Sequence, residues 1–346
     1  MFLENKRFEI NKIDEDIVNL IIKRNKLSEE VIKYKKDNNL GVYDKSRESA
    51  IIQSLKDKFS GKINPCEIEK LYSDILFFSK HEHLNLSNDN QFGSFFKEKP
   101  IFVAGPCSVE SEEQIHRIAK DLSGFGIRYL RGGAYKPRTS PDTFQGLGSI
   151  GIKYLKEAAE LNDMKVVTEV MSAQQLLENY QLIDVIQIGS KNMFSYQLLK
   201  DIAEINKKDN KPIILKRHFN ATLKEFIYAA DYLQTEKQNN IILCLRGIRT
   251  YEQIDSKLRF TPDLASIIEL KRMTNLPIIF DPSHSAGDAE FVFELSKGAL
   301  AMGADGLIIE THYNPSESIV DAKQTIDYTS LKMIFSFIEQ IKYAVE

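Results

Sequence analysis

The hydrophobic pattern of this chain changes period near residue 100. Ahead of that point apolar residues recur at helical spacing, with Ile13, Ile17, Leu20, Leu27, Val31 and Tyr34 strung along one long first helix. Gly41 and Asp44 break it, and Arg47 to Phe59 reads as a second helix. Pro65, tolerated near a helix N-terminus, opens a third that runs to about His83. Three helices enclose too little to close a sizeable core, so this part is expected to dimerise or to pack on its neighbour. Residues 85–99 begin polar and aperiodic and read as a linker, in which Phe92, Phe95 and Phe96 suggest a short docking strand.

From Pro100 short apolar runs alternate with helical stretches. The runs fall at 101–104, 127–131, 165–170, 184–188, 212–216, 241–245, 277–281 and 306–310. The helical stretches fall at 111–123, 151–162, 173–180, 195–206, 223–236, 264–273, 290–302 and 329–345. Eight strand–helix units in succession predict a (β/α)8 TIM barrel, and near-continuous apolar strands suit a parallel sheet covered on both faces. The expected organisation is therefore α/β: a small all-α domain over 1–84, a linker over 85–99 and a barrel over 100–346.

Composition narrows the function. Apolar content of 42% and charged content of 27% are ordinary for a globular protein, and a net charge of -3 supplies no basic field for nucleic acid. Any anion site must be local. Three scattered cysteines make no disulfide framework, the charged N-terminus has no signal-peptide core, and no apolar run reaches membrane-spanning length. A cytoplasmic protein without a membrane partner is expected.

One such local site lies in the first helix. Arg24 falls on the apolar stripe, between Leu20 and Leu27, and Lys35 follows eleven residues later on nearly the same face. A cation on a buried face needs an anionic partner. The pattern Arg7, Asp14, Arg24, Lys35, Asp44, Arg47, Glu48, Ser79 resembles the all-helical chorismate mutase family over residues 5 to 84. The resemblance implies that Arg7, Arg24, Lys35 and Arg47 hold the two carboxylates of chorismate or prephenate, while Asp44, Glu48 and Ser79 contact the hydroxyl side. It also implies an intertwined dimer in which Arg7 serves the partner's site. His83 stands where that family usually has Gln or Glu facing the breaking ether oxygen.

In a barrel of this kind the reactive groups come from the C-terminal ends of the strands. Here those ends offer Cys107; Arg131 and the loop Lys136, Pro137, Arg138, Thr139, Ser140; Glu169; Gln187 and Lys191; Lys216 and Arg217; Arg246; Asp281 and His284; and Glu310, with Asp321 shortly after. Two sets separate by chemistry. Cys107, His284, Glu310 and Asp321 form a mixed S, N, O, O set suited to a divalent metal ion such as Mn, Fe, Co or Zn. Arg131, Lys136, Arg138, Lys191, Lys216, Arg217 and Arg246 are too many cations for one phosphate and suggest two anionic substrates.

The stretches Ala104 to Ser111, Arg131 to Pro141, Phe144 to Gly148, Gln187 to Gly189, Leu215 to Arg217, Leu245 to Thr250 and Asp281 to Ser285 resemble those of 3-deoxy-D-arabino-heptulosonate-7-phosphate (DAHP) synthase. The branch implied is the one related to 3-deoxy-D-manno-octulosonate-8-phosphate synthase, and an N-terminal chorismate mutase domain is a known arrangement in it. By resemblance, Arg131, Lys191, Lys216, Arg217 and Arg246 would bind phosphoenolpyruvate. Lys136, Pro137, Arg138, Thr139 and Ser140 would bind erythrose 4-phosphate. Cys107, His284, Glu310 and Asp321 would hold the metal, and Glu169, Lys216 and His284 would serve catalysis. A homodimer or homotetramer is expected. Departures from the pattern are Lys191 for arginine, His218 for glycine, Leu245 for glutamate, and a segment 251–264 that lacks an Arg-Asn-Thr pattern and offers Arg259 as a substitute cation. Two rival readings are an octulosonate-type condensing synthase, disfavoured by the Lys136–Thr139 loop, and a helical domain that binds chorismate or prephenate purely for feedback.

Overall fold

The computed structural model describes residues 2–38, 45–81, 100–136, 140, 142–234, 240–251 and 258–345. Asp44, His83, Pro137, Arg138 and Thr139, all assigned to sites above, lie outside the described residues. The chain divides into two units, residues 1–88 and 89–346.

The first unit holds helices α1 (Phe2–Asp37), α2 (Lys45–Lys58) and α3 (Pro65–His81), matching the helical periodicity of the sequence. Among the described side chains its buried apolar residues are Ile68 and Leu76, both on α3. The predicted stripe on α1 stays uncovered in the single chain, with Leu20 at 65% and Tyr34 at 64% exposure. A 36-residue helix is far longer than either of the two other helices of this unit, and among the described residues of the unit most of its apolar stripe stays exposed.

The second unit is a closed parallel barrel in sequence order, with strands β1 (Ile101–Gly105), β2 (Tyr129–Arg131), β3 (Lys165–Val170), β4 (Val185–Ile188), β5 (Ile213–Lys216), β6 (Ile241–Leu245), β7 (Ile278–Phe280) and β8 (Gly306–Glu310). The ring closes through β1 and β8, in register from Ile101↔Gly306 to Gly105↔Glu310. The surrounding helices are α4 (Glu112–Gly124), α5 (Ser149–Leu161), α6 (Ala173–Asn179), α7 (Tyr196–Asn206), α8 (Leu223–Leu233), α9 (Ala265–Met273), α11 (Ala289–Ala301) and α12 (Tyr328–Val345). The polar residue ahead of each of three of them acts as a cap: Ser111 and Ser172 accept from the backbone of Gln114 and Gln175, and Thr222 forms a reciprocal capping box with Glu225. A short helix unannounced by the apolar pattern, α10 (Pro282–Ala286), follows β7. Asp281 caps it, Pro282 takes its first turn and Gly287 ends it at φ 70°.

Inside the barrel, Val103, Tyr129, Val167, Val185, Ile214, Ile242, Cys244, Ile279 and Ile308 form a buried core. Each aliphatic side chain withdrawn from water there contributes about 1.5–3 kcal/mol. Strand side chains alternate with period two, so the residue two places beyond each core residue also points inward, one layer nearer the mouth. That layer contains Gly105, Arg131, Glu169, Gln187, Lys216, Arg246, Asp281 and Glu310.

Candidate active site

Asp281 is the hub of this layer. Its carboxylate meets Lys216 Nζ at 2.5 Å and His284 Nδ1 at 2.8 Å, and accepts the backbone N–H of His284 at 2.9 Å. Burial works against ionisation, yet His284 and Lys216 outweigh it and hold the carboxyl well below the usual range. His284 Nδ1 touches Asp281 without a well-aligned hydrogen bond, so the contact is one of proximity and charge. Nε2 lies 3.5 Å from Glu310 Oε1. Burial keeps the His284 pKa below its ordinary value, so the neutral ring is favoured.

Cys107, Glu310 and Asp321 each present a ligand atom within 4.8 Å of the others. Cys107 Sγ lies 3.3 Å from Asp321 Oδ2. Burial, followed by the charge of Glu310 and Asp321, pushes the thiol well above its usual pKa. Two carboxylates beside a thiol and an imidazole concentrate negative charge that a proton or a cation relieves. The residues therefore fit a divalent metal, as their mixed S, N and O donors suggest. Three of the four expected ligands form the close group, and His284 joins it through Glu310.

Two cations frame the same atoms. Arg131 Nη2 pairs with Glu310 Oε1 at 3.0 Å, with both side chains buried. Lys136 Nζ donates to Cys107 at both its backbone oxygen (3.1 Å) and its sulfur (3.0 Å). Lys136 thus lies against a metal-type ligand and bridges the two sets that sequence chemistry had separated.

The decisive feature of the mouth is its surplus of donors. Arg131 Nε and Nη1 and Arg246 Nε are buried with no hydrogen-bond partner among the described residues. A buried unsatisfied donor costs about 1–3 kcal/mol, so three on two guanidinium groups mark a place built for an anion. Arg246 Nη1 donates to Ser190 Oγ at 3.0 Å, a partner the sequence reading did not single out. Lys191 sits exposed on the turn Ser190–Asn192 after β4.

Glu169 lies half-buried on the inward face of β3 and accepts from Gln187 Nε2 at 3.2 Å. It fills space that only a glycine leaves free: a Cβ on Gly189 would stand 1.9 Å from its Oε1. Gly105 admits Arg131 in the same way, with φ 151° and a would-be Cβ 2.1 Å from the Arg131 carbonyl oxygen.

Arg217 corrects the sequence reading. One residue beyond inward-facing Lys216, it must point to the opposite side of the sheet. Nε and Nη2 donate to the Ala221 carbonyl at 3.0 and 2.7 Å, and Nη1 donates to Asp263 Oδ2 at 2.8 Å and Ser266 Oγ at 3.1 Å. Its guanidinium ties the β5–α8 turn to the start of α9 and does not face the mouth. Ser140 is exposed, and its carbonyl accepts from Thr143 and Gln145. Arg259, the proposed substitute cation, stands 4.0 Å from Asp321 Oδ1.

In the helical unit, Arg24 and Ser79 come together across 55 residues through a hydrogen bond from Nη1 to Oγ. Ser79, buried, also donates to Asn25 Oδ1 at 2.6 Å. Asn25 was missed because a lone asparagine beside Arg24 carries no pattern. Lys35 and Glu48 are half-buried, whereas Arg7 and Arg47 are exposed in the single chain.

A closed barrel with buried, unsatisfied guanidinium donors beside a thiol–carboxylate–imidazole group defines an enzyme class: a barrel catalyst of anionic substrates with a place for a metal. The chain belongs to the DAHP synthetase I family, whose pattern matches residues 88–346, and it carries a chorismate mutase type II domain over residues 6–83. It is 42% identical over 243 residues to a phospho-2-dehydro-3-deoxyheptonate aldolase of Thermotoga maritima, covering 70% of each chain. The crystal structure of a Thermotoga maritima DAHP synthase superposes with a TM-score of 0.66 at 42% identity, over 70% of this chain and 69% of that one. A 2-dehydro-3-deoxyphosphooctonate aldolase of Francisella tularensis is 28% identical over 271 residues, which span 72% of this chain and 94% of that protein. Among the described residues no helix is long and apolar enough to cross a membrane.

Proposed function

We propose that the barrel condenses phosphoenolpyruvate with erythrose 4-phosphate, giving DAHP and inorganic phosphate. The observation that carries this reading is the trio of buried, unsatisfied guanidinium donors on Arg131 and Arg246 beside the Cys107–Glu310–Asp321 group. Arg131, Arg246, Lys216 and Lys191 would receive the phosphate and carboxylate of phosphoenolpyruvate, and the loop from Lys136 to Ser140 the second phosphate. Arg217 leaves this set. Cys107, His284, Glu310 and Asp321 would hold a divalent ion, which when bound acts as a Lewis acid on the aldehyde oxygen. C3 of phosphoenolpyruvate then bonds to the aldehyde carbon, water adds at C2, and phosphate departs from that carbon. Glu169, which accepts from Gln187, would take a proton from that water, and Lys216 would return one.

The 42% identity to a heptonate aldolase, against 28% to an octonate aldolase, favours the four-carbon sugar phosphate over the five-carbon one. The helical domain gives the same direction, since chorismate lies downstream of DAHP. We infer that this domain rearranges chorismate to prephenate, with Arg24 held by Ser79 for one carboxylate, and that two chains pair through the uncovered face of α1. A homodimer or homotetramer follows. The test mixes pure protein with phosphoenolpyruvate and erythrose 4-phosphate and follows the loss of phosphoenolpyruvate absorbance. Turnover that disappears on chelation and returns with Mn or Zn is expected. Equal turnover after exhaustive chelation, or a preference for arabinose 5-phosphate, would overturn the assignment.

A further inference from the structure

Two of the departures noted in the sequence, His218 and the segment ending at Leu264, meet in space beside Arg246. Among the described residues no carboxylate pairs with the Arg246 guanidinium. Nη1 is held by Ser190, and Nη2 lies 3.5 Å from the His284 carbonyl oxygen. The guanidinium carbon lies over the ring of Phe260, 4.5 Å from its centroid. Burial, reinforced by Arg259 and opposed in part by Asp281, lowers the pKa of this arginine.

Phe260 is itself firmly placed. Its N–H donates to the Ser285 carbonyl at 3.2 Å, and its neighbour Thr261 exchanges two backbone hydrogen bonds with Ile248, each 2.9 Å. The ring stacks on Phe219 (5.5 Å, 25°), and Phe219 stacks on His218 (4.1 Å, 30°), which rests against Phe194. The loop after β6 is thus clamped to the loop after β5 by a stack of rings with a cation on it at the mouth.

We propose that Phe260, backed by Phe219 and His218, is a positioning residue that holds Arg246 ready for the phosphate of phosphoenolpyruvate. The inference rests on the reading of Arg246 as a ligand of that substrate. A carboxylate could hold the guanidinium equally well, but it would occupy donors and cancel charge that the phosphate needs. An aromatic face offers its quadrupole and leaves the edge donors, including the orphaned Nε, to the ligand. Fixing the side chain before binding also removes the entropy of ordering it, which would otherwise weaken binding.

The test uses the full-length, metal-loaded protein and separates KM for each substrate from kcat. Removing a cation–π contact of this kind should raise KM for phosphoenolpyruvate about fivefold or more in Phe260→Leu, which keeps the bulk and loses the π face. Phe260→Tyr should restore it, and KM for erythrose 4-phosphate and kcat should stay within about twofold of wild type under the same argument. Thermal unfolding of each variant shows whether the fold survives, and the Leu and Tyr replacements keep the comparison meaningful if Phe260→Ala fails to fold. Arg246→Gln is the control for the underlying reading. If Arg246→Gln leaves KM for phosphoenolpyruvate unchanged, the substrate assignment falls and takes the inference with it. If Arg246→Gln raises it but Phe260→Leu matches wild type, or Phe260→Leu shifts both substrates alike, the assignment stands and the aromatic support is wrong.

Discussion

The ammonium of Lys216 and the carboxylate of Asp281 meet at 2.5 Å, where both side chains are shut off from water. They sit on β5 and just past β7, with Cys244 of β6 between them. Removing one partner of a buried pair is expensive because the other stays charged and desolvated.

Asp281→Asn is therefore predicted to lower unfolding free energy by about 3 kcal/mol and to abolish condensation, since Lys216 and His284 lose their common anchor. Adding Lys216→Met to that variant should recover part of the stability and none of the activity. Denaturant unfolding and turnover measurements check both, and an unchanged unfolding midpoint in Asp281→Asn would remove the pair from any structural role.

Arg217 should behave in the opposite way to Arg131 and Arg246. Because it binds Ala221, Asp263 and Ser266, Arg217→Met should cost about 2–4 kcal/mol of stability. Its KM for phosphoenolpyruvate should equal that of wild type in enzyme that remains folded. A tenfold or larger rise in KM without loss of stability would return Arg217 to the substrate site.

That outcome shows what the sequence made legible. The alternation of runs was enough to place all eight strands and their order, because a short continuous apolar run and a helical period of 3.6 are both properties of local stretches. Resemblance and chemical type picked out Arg131, Lys216 and Arg246. Parity, already readable in Leu215-Lys216-Arg217, was the signal that would have set Arg217 aside. The ring stack of Phe260, Phe219 and His218 had no such signal. Its members come from two loops, and their meeting is set by the barrel's closure and not by any local period.

His218 supplies a pH prediction. Burial first, then Arg246 and Arg249, depress its pKa below 6.5. Between that folded value and 6.5 the unfolded chain binds more protons than the folded one. This contribution to stability is complete above pH 6.5 and diminishes as pH falls through the window. Ring-proton NMR should show the resonance that is lost in His218→Gly titrating below 6.5. A midpoint at or above that value would contradict the packing described.

The three cysteines should separate by reactivity. Cys66 is exposed, whereas Cys107 and Cys244 are buried, the latter with its thiol pushed up to about 12. A thiolate-selective reagent at pH 8 should label one cysteine quickly in native protein and all three in denaturant. Cys66→Ser should remove the fast phase, and rapid labelling that survives this change would show that one of the buried thiols is open to solvent.

The Cys107–Asp321 contact joins residues 214 positions apart, across the seam where β1 meets β8. On a ribosome the thiol emerges first, and its carboxylate partner Asp321 follows 214 residues later. A nascent chain that ends before Asp321 cannot assemble the donor set, so an ion held by that set would be captured only after β8 has joined β1. Were the set to hold a metal ion, uptake would report finished closure, and its rate after dilution from denaturant should follow the slowest step of folding and not the arrival of the ion.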